Sequence, residues 1–453
     1  MRTLAAALLL FATSLTAAEP GTLTRSVVTR ADPKQTYALY LPSTYDGVRK
    51  HPALLVMDPS ANGPAAAEIF RPAAEEYGWI ILSSNGTVSG SGDDTNELAV
   101  RALIPELNYY PVMPGRVYAT GFSGTAILAW QIGINTGILH GVIGVGGRNI
   151  RELPPAQFSF AHYGFAGDAD FNNREMREVD ALLEQAGKVH RFEVFSGEHR
   201  WITPELAMDA VGWMELVAMK DGRRPKDEAL IAKLHARDAA AAAELEASGR
   251  KIEAARRYRA VAATFDSADA RASAARLEKD PAVIRDRKEE AKWDEFERNF
   301  HKHVLGNVRA LFARIREDDL GQSQARLSRE LRVSELKRRA TRPGYEGLTG
   351  RRLLNVIYGQ TAFRLINDLF AQGEYSLAAI TAGVATEIHP ERWASWYNHA
   401  AALARAGNAK AALASLEKAA EVGFKNAAQL TADEDFASLR GTERFEALLK
   451  KLQ

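Results

Sequence analysis

Ser123 stands in Gly121-Phe122-Ser123-Gly124-Thr125, after the β-rich run 116–120 (RVYAT) and before a stretch of helical spacing from about Gly124 to Ile134. A serine on a sharp turn from strand to helix needs small neighbours, because its backbone is strained and the flanking chain comes close. Gly121 and Gly124 supply that room. Its hydroxyl would stand at the carboxyl end of a strand and at a helix N-terminus. There, backbone N–H groups and the helix dipole favour the negative charge that develops on an attacked carbonyl oxygen. The chemistry this permits is attack of the serine oxygen on a carbonyl carbon, with the acyl group passing to the serine.

A serine hydroxyl is a weak nucleophile at neutral pH and needs a base within hydrogen-bond reach, itself oriented by a carboxylate. Two downstream segments carry those residue types in that order. Residues 162–176 (HYGFAGDADFNNREM) read as a strand ending in Gly167-Asp168-Ala169-Asp170, and residues 192–201 (FEVFSGEHRW) as a strand followed by a turn with His199. Of the other histidines, His51, His140 and His190 lie upstream of strands or at helix ends, and those beyond Arg224 fall in a helical region, where core or solvated roles account for them. His301 and His303 would point from different faces of a helix, without carboxylates at ligand spacing, so no metal is expected. Gly144-Val145-Gly146-Gly147 has neither the P-loop lysine nor the dinucleotide-binding spacing and reads as a tight strand-end turn. No cofactor is expected, and the absence of Cys excludes thiol catalysis, disulfides and thiolate metal sites.

These groups need a scaffold that brings strand ends together. From about Gln35 to Lys220, short apolar runs alternate with amphipathic stretches: 36–41 (TYALYL), 53–57 (ALLVM), 79–82 (WIIL), 116–120, 141–145 (GVIGV), 160–166 and 191–195 (RFEVF), with helices at 65–77 and from 124. That pattern belongs to a mostly parallel sheet flanked by helices, which binds ligands at the carboxyl ends of its strands. Beyond about Arg224 the strand signals stop and Ala, Leu, Glu, Lys and Arg recur at helical spacing, so an all-α region follows. Residues 279–342 carry dense mixed charge and read as long solvated helices. At the N-terminus, Arg2, an apolar run from Leu4 to about Leu15 and small residues to Ala18 form a signal-peptide pattern. Lys plus Arg (58) balances Asp plus Glu (57), so no long-range field favours nucleic acid as a partner.

The Gly-x-x-Asp of Gly167 to Asp170 and the Gly-x-His-x-Trp of Gly197 to Trp201 resemble the acid and histidine loops of one α/β-hydrolase group. These are the secreted esterases that include polyhydroxybutyrate depolymerases and feruloyl esterases. The resemblance covers residues 33–220 and includes YALYLPSTYDGVRKHPALLVMD and EEYGWIILSSNG. Around Ser123 the chain resembles the nucleophile elbow, departing from it with Thr125 in place of the last glycine. Carried over, the resemblance makes Ser123 the nucleophile, His199 the general base and acid, and Asp170 the orienting carboxylate. Asp168 is the rival, although the spacing from Gly167 selects Asp170; a turn residue capping the helix near Asn173 is the other reading of Asp170. Glu198 replaces the second glycine often found before the histidine, and could either act on the imidazole or face solvent. The oxyanion would take the Gly124 N–H and one from the loop after ALLVM. Pro59 has no N–H, so the donor there is Ser60 or Ala61. Phe122 and Trp201 would line the acyl pocket.

In the helical part, residues 371–390 and 404–423 are similarly built. Their turn glycines, Gly373 and Gly407, stand 407 − 373 = 34 residues apart, and a weaker copy surrounds Gly249. This resembles tetratricopeptide repeats. The expected organisation is a signal peptide at 1–18, an α/β-hydrolase domain at 19–222, a helical region at 223–342 and tetratricopeptide-like repeats at 343–453. The expected function is a periplasmic or secreted serine hydrolase of the esterase type, acting on a small ester or a polymer-derived substrate. A protein or peptide would bind the repeats, with no nucleic acid and no membrane span once the signal is removed. Two alternatives remain: an inactive hydrolase fold serving as a repeat scaffold, and a serine peptidase of the same fold.

Overall fold

Continuous apolar runs are suited to strands buried on both faces, and the central strands fall on such runs. The computed structural model describes residues 18–89, 93–147, 159–307 and 319–452; the segment read as a signal peptide lies, up to residue 17, outside the described residues, as does 308–318 of the charged stretch. Eight strands form one sheet: β1 (Leu23–Val28), β2 (Thr36–Tyr40), β3 (His51–Met57), β4 (Ile80–Ser84), β5 (Val112–Phe122), β6 (Leu139–Val145), β7 (Ala161–Gly167) and β8 (His190–Phe195). Their order is β1-β2-β4-β3-β5-β6-β7-β8. β1 and β2 pair antiparallel, as do β2 and β4, whereas β3 runs parallel to β4 and β5, and β6 parallel to β5 and β7. Every residue of β3 and of β7 is buried.

Helices α1 (Gly63–Tyr77), α2 (Asp93–Leu103), α3 (Gly124–Thr136), α4 (Asn173–Gln185) and α5 (Pro204–Lys220) connect and flank the strands. The architecture is the α/β-hydrolase one, a mostly parallel sheet with flanking helices, followed by an all-α region. Two elements escape a reading based on apolar runs. β1 is half exposed, and α2 is a charged helix within the loop after β4. β5 is also longer than its apolar centre. His51 pairs with Val112 and Ala53 with Val117, and that register shift absorbs Pro114, which cannot donate to a ladder, and Gly115 at φ 76.

α5 is tied to the strands by a buried charge cluster. Glu215 accepts from Trp79 Nε1 at 2.5 Å and pairs with Arg116 and Arg224; the Arg116 and Glu215 side chains are 2% and 1% exposed. Charges at that depth persist only when fully paired.

The chain divides into two compact units. The first comprises residues 1–165, 175–193 and 200–234; the second comprises 166–174, 194–199 and 235–453. The second is mainly α-helical: α6 (Glu228–Ala247, which begins in the first unit), α7 (Lys251–Phe265), α8 (Ala268–Glu278), α9 (Pro281–His303), α10 (Leu320–Glu330), α11 (Val333–Ala340), α12 (Gly344–Gly359), α13 (Leu365–Gln372), α14 (Tyr375–Ile388), α15 (Trp393–Arg405), α16 (Ala409–Glu421), α17 (Ala427–Ala432) and α18 (Glu443–Leu452). Gly249, Gly373 and Gly407 follow α6, α13 and α15 with φ of 80, 77 and 79, the left-handed conformation that ends a helix and favours glycine. Alanines fill the contact faces beyond them, with Ala378, Ala382, Ala400, Ala402, Ala412 and Ala419 all fully buried. Among the described residues no helix is long and apolar enough to cross a membrane.

The fully buried His162 of β7 carries a pH signature. Burial, and to a lesser extent the His190 charge, holds its imidazole down to about 3, against an ordinary 6.5. The unfolded chain takes up that proton near 6.5 and the folded chain does not, so stability present above pH 6.5 is lost as pH falls from there toward 3. Urea denaturation at pH 7 and pH 5 should show His162→Phe losing less stability on acidification than the parent, by on the order of 1–2 kcal/mol.

Candidate active site

Ser123 joins β5 to α3 with φ 57 and ψ −126, a conformation that a residue bearing a side chain adopts only under constraint. Such a backbone costs about 1–3 kcal/mol and clusters at functional sites. Three contacts hold it. Its N–H donates to the Val145 carbonyl at 2.8 Å. A Cβ at Gly121 would lie 2.2 Å from the Thr125 carbonyl oxygen, and one at Gly147 would lie 2.0 Å from the Ser123 carbonyl oxygen. Both positions therefore admit only glycine, which gives the Gly144-Val145-Gly146-Gly147 turn a second purpose: Gly147 packs directly on the serine turn. At Gly124 a Cβ would meet Ser89 Oγ at 2.5 Å, so the loop after β4 lies over the first residue of α3.

Thr125 explains its own departure from the elbow pattern. It is fully buried, and its hydroxyl lies 2.7 Å from the Met57 carbonyl and 2.8 Å from the Phe122 carbonyl, able to donate to either, while accepting the Phe122 N–H at 3.1 Å. The hydroxyl thus links the serine turn to the end of β3. A hydroxyl residue at a position where glycine would suffice was the available sequence signal.

Beyond β3 the chain is organised by Asp58, a residue that sequence reasoning passed over. Its Oδ1 accepts the N–H groups of Ser60 at 2.8 Å and Asn62 at 3.1 Å, and its Oδ2 accepts Trp201 Nε1 at 2.9 Å. Ala61 adopts φ 57 and donates its N–H to the Thr87 carbonyl at 2.9 Å. Both N–H groups that the sequence offered for the oxyanion, those of Ser60 and Ala61, are therefore engaged within the protein. Trp201 packs edge-on to Phe70 and lies with its ring centroid 5.6 Å from that of Phe122, so it braces the loop as well as standing beside Phe122.

In the second unit His199 and Asp170 meet. His199 Nδ1 lies 2.9 Å from Asp170 Oδ1 and 3.0 Å from Oδ2; Asp170 is fully buried and the His199 side chain is 17% exposed. Asp170 Oδ1 also accepts the Asn172 N–H at 2.8 Å, and the Phe171 ring covers the imidazole at 4.1 Å between centroids. The Asp170 carbonyl accepts the Asn173 N–H at 3.0 Å, so Asp170 also precedes the start of α4, but its carboxylate turns to the histidine. Asp168 has different work: its Oδ1 accepts the Gly197 N–H at 3.0 Å. The Asp168 N–H donates to the Phe195 carbonyl at 2.8 Å and the Ala169 N–H to the Gly197 carbonyl at 2.9 Å, so the acid loop and the histidine loop are zipped together. Gly167 makes this possible, since a Cβ there would stand 2.2 Å from the Gly197 carbonyl oxygen. Glu198 turns away to pair with Arg392 at 2.9 Å. Among the described residues no cluster of three or more His, Asp or Glu could hold a metal ion.

No family model matches the chain, and no curated protein matches it. Among solved structures it is similar to the fluorophosphonate-binding serine hydrolase F of Staphylococcus aureus, with 12% identity, 43% of this chain and 98% of that one covered, and a TM-score of 0.37. It is also similar to an S-formylglutathione hydrolase of Staphylococcus aureus (12% identity, 44% and 98% covered, TM-score 0.37) and to a ferulic acid esterase (16% identity, 44% and 98% covered, TM-score 0.36). What those proteins act on belongs to them; the chemistry of this chain is carried by its own side chains.

Thr125→Val keeps the shape and removes the hydroxyl, so the Met57 carbonyl and the Phe122 N–H lose that partner in a buried setting. The expected cost is about 1–3 kcal/mol in urea denaturation, with Thr125→Ser recovering most of it.

Proposed function

We propose that this protein is a serine hydrolase of the esterase type, with Ser123 as nucleophile, His199 as general base and acid, and Asp170 as the carboxylate that orients the histidine. The observation that carries the reading is the approach of both oxygens of a fully buried Asp170 to His199 Nδ1. That contact favours the tautomer with its proton on Nδ1 and leaves the Nε2 lone pair as the base. The positive φ of Ser123 at the start of α3 supports its part.

In this mechanism Ser123 Oγ attacks the ester carbonyl carbon while its proton passes to His199 Nε2. The carbonyl oxygen takes the negative charge, and the Gly124 N–H at the start of α3 is the donor assigned to it. Collapse of the tetrahedral species breaks the bond to the alkoxy oxygen. His199 returns the proton to that oxygen, an alcohol leaves, and the acyl group stays on Ser123. Water then attacks the acyl carbon as His199 takes its proton, and the second collapse releases the carboxylic acid and restores the serine. Ser60 serves as second oxyanion donor only when its N–H leaves Asp58 Oδ1. Export to the periplasm or beyond fits the N-terminal pattern at 1–18. A tetratricopeptide-like role for the C-terminal helices, with a protein or peptide as partner, is supported by the left-handed turn glycines and their alanine-filled faces.

The engaged Ser60 N–H favours one competing reading, a silent hydrolase fold in which the helices are the working part. Labelling the purified protein with a fluorophosphonate, followed by peptide mapping, separates the two. A single adduct on Ser123, lost in Ser123→Ala and His199→Ala, is expected, with Asp170→Asn slowing ester turnover by about 10⁴. A folded protein that takes no adduct would return the assignment to the scaffold.

A further inference from the structure

The helices of the second unit reach the loop that carries Asp170. α12 presents Arg352 and Asn355 three residues apart, hence on one face. Arg352 Nη1 donates to the Asp168 carbonyl at 3.1 Å, and Asn355 Nδ2 donates to the Ala169 carbonyl at 3.0 Å. These are successive carbonyls of one loop, and the next residue is Asp170 itself.

Both donors are held in turn. Arg352 Nε and Nη2 bind Glu297 Oε2 of α9 at 2.9 and 2.7 Å, and Nη2 also reaches Thr349 Oγ1 at 3.0 Å. The side chains of Arg352 and Glu297 are 5% and 0% exposed. Asn355 Oδ1 lies 3.0 Å from His389 Nε2, which orients its amide so that Nδ2 faces the loop. A third tether meets the histidine loop: Arg392, at the start of α15, pairs with Glu198, the residue before His199.

Packing alone would be met by apolar residues on this face of α12, because burying an arginine and a glutamate together brings little net stability over hydrophobic substitutes. What these side chains supply is direction: two fixed donors aimed at adjacent carbonyls determine where the following carboxylate stands. We propose that Arg352 and Asn355 are positioning residues for the acid–base pair, so that the helical region is an internal brace for Asp170 and His199 and not only a surface for partners. This rests on the esterase reading for its effect on turnover. A displacement of the acid by a fraction of an ångström to an ångström lowers the rate of the chemical step and leaves ester binding alone.

The variants are Asn355→Asp, which keeps shape and removes the donor, and Arg352→Lys, which keeps charge and removes the fork. Tyr397→Phe is the control: it deletes a hydrogen bond to Asp433 within the helices, at 2.7 Å, without touching either loop. Each is compared with the parent full-length chain for fluorophosphonate labelling, for kcat and KM on p-nitrophenyl butyrate, and for amide hydrogen exchange in peptides spanning 166–174 and 194–199. Thermal melting identifies any variant that fails to fold; should Arg352→Lys do so, Asn355→Asp carries the test.

The expected result is a kcat lowered about tenfold to a hundredfold with KM within about twofold of the parent, together with faster exchange across 166–174, in the two loop variants and not in Tyr397→Phe. Unchanged kcat and exchange in a parent that labels at Ser123 would overturn the brace and leave the esterase reading standing. In a parent that takes no label, the esterase reading falls instead. Exchange then decides alone: acceleration upholds the brace on the loop, and unaltered protection overturns it.

Discussion

A carboxylate with no exposed surface has to be satisfied by the protein around it, and the loops of this molecule are arranged about one such group. Asp170 turns both oxygens to His199 Nδ1 and accepts the Asn172 N–H as well. Meeting that demand requires the histidine loop to lie against the acid loop along its length. Asp168 binds the Gly197 N–H, the Ala169 N–H binds the Gly197 carbonyl, and Gly167 gives up its side chain so that the two backbones can touch. The two acidic residues divide the labour: Asp168 shapes the loop pair and Asp170 meets the imidazole.

The serine turn obeys a different constraint, that of backbone geometry. A residue with a side chain at φ 57 and ψ −126 stays there only when its surroundings leave no alternative. Gly121 and Gly147 exclude side chains on either side, the Ser123 N–H is committed to Val145, and the Thr125 hydroxyl ties the turn to the end of β3. The same strand end leads to Asp58, whose carboxylate gathers Ser60, Asn62 and Trp201. Several residues that look like separate candidates along the chain are thus parts of one support, and Trp201 in particular is held by a hydrogen bond as much as by its aromatic neighbours.

The helical region reads differently once its polar interior is considered. Its contact faces are built on alanine and leucine, yet Arg352 and Asn355 are buried within it and donate to loop carbonyls, and the buried Glu297 holds Arg352 in place. Buried polar groups in an otherwise apolar region carry orientation more than stability, and here the orientation they impose is that of the segment next to Asp170.

What could be read along the chain was whatever depends on local pattern. Continuous apolar runs mark β3 and β4, glycines flanking Ser123 mark a strained turn, and glycines 34 residues apart (407 − 373 = 34) mark helix ends at Gly373 and Gly407. Local pattern also offered two carboxylates, Asp168 and Asp170, and a spacing argument that preferred the second; only the fold brings one of them onto His199. β1 and α2 left no apolar run to read, being half exposed or charged. The engagement of the Ser60 N–H by Asp58, the bridge from Thr125 to Met57, and the reach of Arg352 and Asn355 to residues more than 180 positions earlier join groups remote in sequence or turn on hydrogen-bond geometry. Hydrogen bonds of that kind leave no periodicity behind them, because their partners are chosen by where the packed backbone places a donor and a carbonyl, and that is decided only when the chain has folded.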